Sequence, residues 1–337
     1  MEKEDHLSNE ISVSAEVVDN SVKASAKSRA LSGIDRLVGS SADFFSAQIE
    51  ALTEKRREKT QGEVAIIRKA AEFGIQEMHT DHDFAKRAFE THYKGILREQ
   101  ENKEAVVVNA LQDLRSDPMS EDTMSAGPEE LSEDFLGRFE EYAKGASTEE
   151  LRERWGKILS GEIRKPGTFS RKVLRAIDEL EPSIAALFED ISKFCIQGAM
   201  FRPIARDLAY TERVNLFTAG LITDVGESQV RYFTEAPLVD GTTVWFLRLG
   251  DFAIAYPKDA VVDYTNSKIL SKDDNKPYLP TNLLSDVGNA LLSIIPRDEK
   301  LIARNIANVV SSQLPAGILM YYKMDAKSNK WLNIPVI

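Results

Sequence analysis

Apolar positions recur every three or four residues through the first third of the chain, the spacing that places side chains on one face of a helix. One such stripe begins at Ile34 and ends at Leu52, and a second periodic stretch runs from about Gly62 to Arg115. The pattern predicts two or three long helices, paired as a hairpin within the chain or with a partner chain. We therefore predict a long-helix region over residues 23–115, preceded by a flexible acidic tail over residues 1–22.

The periodicity stops over residues 116–128, where prolines, a glycine, serines and acidic residues predict a linker. Helical spacing returns over residues 129–200. Ser147 is predicted to begin a capping box, because Glu150 follows three positions later, and Ser170 is predicted to cap a further helix. This part of the chain is therefore predicted to be a compact helical module.

In the last part of the chain, short alternating segments typical of strands replace the long stripes. Gly250 and Asp251 separate two such segments, and glycine in the first position predicts a type II′ hairpin. A helix is predicted over Asn282–Ile295 with Thr281 as its cap, and a second hairpin is predicted near the C-terminal end. A helix, a hairpin and another helix in this order indicate a mixed, winged-helix-like domain over residues 201–337.

Together these segments predict an α+β fold that is predominantly α. It consists of long N-terminal helices, a central helical module and a C-terminal mixed domain with β-hairpins. The length of 337 residues suits two domains, at roughly 100 to 200 residues per domain.

Composition and charge narrow the function classes. The net charge is -11, which is unfavourable for non-specific binding to nucleic acid. No run of about 18 apolar residues occurs that could span a membrane. The first twenty residues are acidic, unlike the basic and apolar segments of a signal peptide, and the single Cys195 cannot form an internal disulfide. These features favour a cytoplasmic protein.

The sequence contains few candidate metal-binding or catalytic residues. His79, His82 and Asp83 have the i, i+3, i+4 spacing of one helical face, which suits zinc or a similar cation, and the alternative is a solvated helix face. No phosphate loop, nucleophile elbow, dinucleotide fingerprint or zinc-protease motif occurs. Cys195 lies in an apolar stretch interpreted as helical, which predicts a buried structural thiol. We therefore expect no cofactor and favour a non-enzymatic protein, although a hydrolase with an unfamiliar site stays open.

Charges are unevenly distributed around the middle of the chain. Residues 117–150 hold eleven acidic and two basic residues, a net charge of -9, whereas residues 151–175 carry a net charge of +6. The second segment is a candidate phosphate-contacting patch, and the alternative is that its side chains pair with the acidic segment. The candidate binding residues are Arg152, Arg154, Lys157, Arg164, Lys165, Arg171, Lys172 and Arg175.

The helical module also carries a motif, W-x-x-x-L-x-x-E-I followed by P-G-x-F-S. Its characteristic residues are Trp155, Glu162, Pro166, Gly167 and Ser170. With Arg98–Asn102 and Asp134–Ala143, the motif resembles an uncharacterised bacterial family, domain of unknown function 2806, over about a quarter of the chain. Its core is also similar to the abortive-infection alpha proteins of phage-defence genes, in which alanine usually stands at the position of Gly156.

The resemblance implies a Trp-centred helical module and a prokaryotic or prophage setting, and it implies no reaction. From the residues themselves, Trp155 is interpreted as a core anchor, and the rival interpretation is an exposed contact for a partner. Pro166 and Gly167 are interpreted as a turn, and Ser170 as a helix cap.

These observations favour an interaction or scaffold protein of a bacterial or prophage system, with phage defence as its setting. It is expected to form a homo-oligomer or to bind a protein partner through its helices. The alternative is a nucleic-acid-binding regulator or effector that uses residues 151–175 and the winged-helix-like domain. Nucleic acid is the less favoured partner because the predicted recognition helix is poor in basic residues.

Overall fold

The computed structural model describes residues 24–38, 82–116, 128, 130–238, 240–265, 267–325, 328 and 330–335. The chain divides into two compact units, Met1–Leu174 and Arg175–Ile337. Where the structure describes them, the first unit is helical and the second combines helices with two antiparallel sheets. The predicted α+β class is therefore confirmed. The predicted tail lies outside the described residues, and so does nearly all of the predicted linker.

Four helices and the start of a fifth build the first unit. They are α1 (Ala24–Val38), α2 (His82–Ser116), α3 (Glu133–Gly145), α4 (Glu149–Arg164) and α5 (Arg171–Asp178), the last of which contains the boundary between the units. Most of the predicted stripe from Ile34 to Leu52 and the first part of the second stretch lie outside the described residues, but several apolar positions of the described helices are buried. They include Val107 and Ala110 of α2, Phe139 of α3, and Ile158 and Leu159 of α4.

The starts of α4 and α5 are closed by side-chain caps. The predicted cap Ser147 is wrong by one position, because the Thr148 hydroxyl accepts the Leu151 amide at 3.3 Å. Ser147 still belongs to the turn that ends α3, as its amide donates to the Gly145 carbonyl. The Ser170 hydroxyl accepts the Val173 amide at 3.4 Å, which confirms the predicted cap of α5.

Helices α2 and α4 run side by side and approach very closely at Gly156. A Cβ atom at this position would lie 2.6 Å from the Asn109 Cβ and 3.0 Å from the Ala110 amide nitrogen. The separation from the Asn109 Cβ is shorter than real Cβ atoms show, so glycine permits the observed approach.

Helix α1 is anchored to α4 by Arg29, whose side chain is fully buried. Its Nε donates to the Ile163 carbonyl at 2.8 Å and its Nη1 to the Pro128 carbonyl at 2.8 Å. One turn later, a Cβ atom at Gly33 would lie 3.7 Å from the Leu159 side chain. The two helices are therefore antiparallel, and the start of α1 lies beyond the C-terminal end of α4.

The second unit contains four further helices and ten strands among the described residues. They are α6 (Pro182–Ser192), α7 (Tyr210–Thr218), α8 (Asp286–Ile294), α9 (Glu299–Ser311), β1 (Cys195–Ile196), β2 (Ala199–Phe201), β3 (Val230–Tyr232), β4 (Thr234–Pro237), β5 (Thr243–Leu249), β6 (Phe252–Pro257), β7 (Ser271–Asp273), β8 (Lys276–Leu283), β9 (Met320–Asp325) and β10 (Lys330–Ile334). One sheet has the order β1-β2-β8-β3, with β7 also paired to β8. The other sheet has the order β10-β9-β6-β5-β4.

The core of this unit forms between strands of both sheets and one face of α9. Trp245, Leu247 and Leu249 alternate along β5 and are all buried, as the period-2 pattern predicts. Ile302 and Ile306 of α9 belong to the same apolar cluster at helical spacing.

Both predicted hairpins are confirmed. Leu249 pairs with Phe252 across the two-residue turn, and Gly250 adopts a φ of 67°. That value matches the first central residue of a type II′ turn. At the C-terminal end, Met324 of β9 pairs with Trp331 of β10.

The predicted start of the helix at Asn282 is wrong. Thr281 and Asn282 lie in β8, where Asn282 pairs with Met200 of β2. Helix α8 begins only at Asp286, and the Ser285 hydroxyl caps it by accepting the Gly288 amide at 3.1 Å. The pairing of β8 with a distant strand therefore overrides the local capping signal.

The finer features of the predicted fold are not confirmed. The β5–β6 hairpin, predicted to be a wing, pairs with β4 on one side and β9 on the other, so both strands lie inside a five-stranded sheet. Ten strands accompany nine α-helices among the described residues, so helical dominance is not confirmed either. None of the described helices is long and apolar enough to cross a lipid bilayer.

We expect Gly156→Ala to destabilise the first unit by about 1 to 3 kcal/mol, because the added methyl group forces α4 away from α2. Gly137→Ala in α3 is the matched control, since a Cβ atom there meets nothing within 4 Å. Helix propensity alone favours alanine by about 1 kcal/mol at either position. Denaturant unfolding of both variants measures the difference, and equal behaviour of the two would contradict the close approach.

Candidate functional site at helix α4

The basic residues of α4 make specific contacts with α2. Arg164 Nη1 lies 2.5 Å from Asp113 Oδ2, and its Nη2 donates to the Asp113 carbonyl at 2.8 Å. The Ser160 hydroxyl donates to the same carboxylate at 2.6 Å. Arg164 therefore takes part in the packing of α4 against α2.

A second polar contact joins the other end of the two helices. Arg152 Nη2 donates to Asn102 Oδ1 at 2.8 Å, and its Nε donates to the Ala146 carbonyl at 3.1 Å. Asn102 is buried and donates to the Lys144 carbonyl at 2.7 Å. These bonds hold the start of α4 against both α2 and the end of α3.

Four of the eight candidate binding residues are engaged in ion pairs. Besides the Arg164–Asp113 pair, Arg152 pairs with Glu149, Arg171 with Asp134, and Arg175 with Glu179. Arg154 and Lys157 are half-buried, whereas Lys165 and Lys172 are exposed. Arg171 and Arg175 are exposed as well, so the solvent-facing positive charge of this segment lies at the turn between α4 and α5 and along α5.

The side chain of Glu162 binds the backbone of that turn. Its carboxylate is buried and accepts the amides of Gly167 at 2.6 Å and Phe169 at 2.9 Å. Burial raises the pKa of Glu162 above its ordinary value, while the hydrogen bonds from the Gly167, Phe169 and Thr168 amides act in the opposite direction. The glutamate of the first part of the motif therefore binds the backbone amides of the glycine and the phenylalanine of the second part.

The remaining motif residues shape the same turn. Gly167 adopts a φ of 85°, a backbone conformation that residues other than glycine rarely adopt. Pro166 directly precedes it, and the Ser170 hydroxyl then caps α5. The motif therefore describes one local structure, a helix end, a turn and a helix start.

Trp155 lies in an aromatic cluster with α3. It is only 2% exposed, and its ring stacks on Tyr142 at a centroid distance of 4.8 Å. Phe139 contacts it edge-on at 5.9 Å. This environment favours the interpretation of Trp155 as a core anchor over an exposed contact.

The histidine cluster gives no described metal site. His79 lies outside the described residues, and His82 and Asp83 are described only as backbone positions of α2. Among the described residues, no group of three or more histidine, cysteine, aspartate or glutamate side chains could hold a metal ion.

Cys195 lies in β1, so its predicted helical position is wrong. The thiol is fully buried and donates to the Ile191 carbonyl at 3.3 Å. Burial raises the pKa of Cys195 to about 12. The thiol therefore stays protonated at neutral pH, consistent with a structural side chain.

Three polar residues at the helix contacts were missed by sequence reasoning: Arg29, Asn102 and Asp113. Arg29 and its acceptor Ile163 are 134 positions apart, and Asp113 and Arg164 are 51 positions apart. No local spacing signals such pairs, because they depend on how distant helices pack.

The family described as Protein of unknown function (DUF2806) matches residues 86–300, more than half of the chain. The chain belongs to the DUF2806 family. The resemblance predicted from the Trp155–Ser170 motif is therefore confirmed, and the DUF2806 match extends into the second unit. No curated protein and no solved structure shows a significant match to this DUF2806 member.

Trp155→Ala is expected to cost about 3 to 5 kcal/mol of stability, the range for removing a large aromatic side chain from a core. Trp331→Ala is the control, since Trp331 is only half-buried on β10. Thermal melting with size-exclusion chromatography compares the two variants. An unchanged melt for Trp155→Ala would move this residue from the core to a contact surface.

Glu162→Gln is expected to lower the free energy of unfolding by about 1 to 3 kcal/mol at neutral pH. Both carboxylate oxygens of Glu162 accept a backbone amide, and the side-chain NH2 group of glutamine cannot accept one. Glu153→Gln, on the exposed side of the same helix, should change stability by less than about 0.5 kcal/mol. Urea unfolding of both variants tests the difference.

A comparison of wild-type protein with Glu162→Gln at several pH values tests the raised pKa of Glu162. Since burial raises this pKa, the folded state binds the proton more tightly than the unfolded state. The resulting stabilisation is complete below the ordinary pKa and is lost as the pH rises through the higher folded value. Wild-type protein should therefore lose stability relative to Glu162→Gln as the pH rises above the ordinary glutamate pKa of about 4.3, and parallel pH curves would contradict this.

Proposed function

We propose that this DUF2806 member is a non-enzymatic interaction or scaffold protein of a bacterial or prophage system, acting by self-association or partner binding through its helices. Its proposed compartment is the cytoplasm. The observation that carries the proposal is the exposed part of α2 over residues 91–101.

The described side chains of α2 change character at Asn102. From Thr91 to Glu101 every side chain is exposed or half-buried, whereas buried residues begin at Asn102 and continue to Leu114. Ile96 is 46% exposed. At a rise of about 1.5 Å per residue, the exposed part amounts to about 16 Å of helix.

A large aliphatic side chain on an exposed helix face supports association with another protein surface. Burying such a side chain contributes about 1.5 to 3 kcal/mol. The half-buried Leu97 lies next to Ile96 and extends the apolar surface. Phage defence is proposed as the setting from the resemblance of the Trp155 motif to abortive-infection alpha proteins.

The alternative proposal is a nucleic-acid-binding regulator or effector that uses residues 151–175 and a winged-helix-like arrangement of the second unit. The exposed Lys165 and Lys172 support it. The engagement of Arg164 by Asp113 and of Arg171 by Asp134 weighs against it, because arginines in such pairs must give up these partners before they contact phosphate.

Ile96→Lys is expected to weaken self-association by about 10- to 100-fold, since each 1.4 kcal/mol corresponds to about a factor of ten. Val261→Lys is the matched control, because Val261 is 87% exposed and lies outside the helices. Sedimentation velocity over a concentration series measures association, and both variants should keep the wild-type melting temperature.

Equal association of wild-type protein and Ile96→Lys would exclude this part of α2 as the contact surface. Duplex DNA binding that weakens steeply with salt, and that is lost on reversing Lys165 and Lys172, would instead favour the alternative.

A further inference from the structure

Strand β10 forms one edge of a five-stranded sheet in the second unit. Among the described strands it pairs only with β9, in a register that runs from Lys330 opposite Asp325 to Ile334 opposite Tyr321. On its other side, the backbone amides and carbonyls of β10 meet no further strand in the described part of the chain. An edge of this kind is a template on which another strand can pair.

The opposite edge of the same sheet is protected against such pairing. Strand β4 is only four residues long, ends in Pro237 and carries Glu235, whose carboxylate pairs with Lys258 at 2.7 Å. Short length, proline and charged side chains are the features that keep edge strands from pairing with other chains. In β10 the only charged residue is Lys330 at the first position, and Pro335 follows the last position. The central residues of β10 lack such protection.

An exposed leucine stands at the centre of this edge. Leu332 is 51% exposed, and Trp331 is half-buried on the opposite face of the sheet. On that face, Trp331 contacts the Phe246 ring edge-on at a centroid distance of 5.4 Å, and its ring centroid lies 5.8 Å from the Arg248 guanidinium carbon. A further strand at this edge would therefore bury apolar side chains on both faces as well as pair backbone groups.

The sequence of β10 suits antiparallel pairing with a second copy of itself. A two-fold axis at Leu332 places this residue opposite its own copy, because the strand has five residues and Leu332 is the third. In the same register Trp331 lies opposite Asn333, and Lys330 lies opposite Ile334. No like charges are then directly opposed, which is the arrangement that destabilises a strand pair.

The charged residues beside this edge are also kept apart in that register. The two copies of Lys330 are separated by four positions along the strands, about 13 Å at about 3.3 Å per residue. Lys323 lies opposite Leu332 in β9, so its two copies are three strand spacings apart, about 14 Å. Both distances exceed the Debye length of about 10 Å at 0.1 M salt. Asp325, opposite Lys330, further reduces the charge at the ends of the pair.

We propose that β10 is an interface between two copies of this chain, which pair antiparallel about Leu332 and join their sheets into one continuous sheet. A second copy is the occupant, rather than an unrelated extended peptide, because this register buries the exposed leucine of both copies against each other and opposes no like charges. The contact uses a strand of the second unit, so it goes beyond the association through helices proposed above. Two five-residue strands bury little area, and the contact therefore belongs to the weak, reversible class.

Disulfide trapping tests the contact at its central position. Leu332→Cys introduces an accessible thiol, whereas the natural Cys195 is buried and has a pKa of about 12. Opposite residues of an antiparallel pair have Cα atoms about 4.5 to 5.5 Å apart, within the range that a disulfide bridges. Under mild oxidation at about 20 μM protein, the linked dimer should form at least about tenfold faster than with Leu301→Cys. Leu301 is the matched control, since it is a leucine of the same unit and 50% exposed.

A pair of charge variants tests the symmetric register. In Leu332→Lys and in Leu332→Glu, each homodimer places like charges opposite each other, so either variant alone should associate at least about tenfold more weakly than wild-type protein. An equimolar mixture of the two places opposite charges across the axis and should associate at least about fivefold more tightly than either variant alone. Sedimentation velocity over a concentration series measures association. Leu301→Lys should behave as wild-type protein, and all variants should keep the wild-type melting temperature.

Both measurements are made with and without Ile96→Lys, so that the two proposed contacts are tested separately. If only the contact through α2 fails, trapping at position 332 and recovery in the mixture still occur. Equal trapping rates for Leu332→Cys and Leu301→Cys would overturn the strand pairing. So would charge variants that associate as wild-type protein does, or a mixture that associates no better than its components, which would point to a different register or a different occupant.

Discussion

The close approach of α2 and α4 at Gly156 is the contact on which the first unit depends. With no side chain at this position, the α4 backbone lies against the Asn109–Ala110 backbone of α2. The polar pairs on either side, Arg152 with Asn102 and Arg164 with Asp113, are direct rather than solvent-separated. A single glycine therefore allows both the apolar packing and the polar contacts of this helix pair.

The C-terminal end of α4 shows how two buried charged side chains are accommodated by backbone groups. Arg29 donates to the Ile163 carbonyl, where a cation near the negative end of a helix is favourable. One residue earlier in the chain, Glu162 accepts amides of the turn that follows. Backbone partners satisfy much of the hydrogen-bonding demand that would otherwise make burial of these groups costly. This explains the combination of a glutamate with a proline–glycine turn at this place in the chain.

The distribution of charge connects this architecture to function. Arg164 is engaged by Asp113 at the contact between α4 and α2, and Arg171 pairs with Asp134 at the surface. Where lysines flank the turn after α4, they remain at the surface. Part of the basic segment is therefore a structural feature of the helical unit, and only its end presents exposed charge to a ligand.

The sequence by itself determined the features that depend on a few neighbouring residues. Helical periodicity located the buried faces of α2 and α4, Ser170 indicated the start of α5, and Gly250 indicated the β5–β6 turn. Local sequence failed at Thr281, because pairing of β8 with β2 and β3 outweighs a capping signal. Only the tertiary structure decided the partners of Arg29, Gly156 and Arg164, since helices brought together from distant parts of the chain determine which side chain and backbone groups meet.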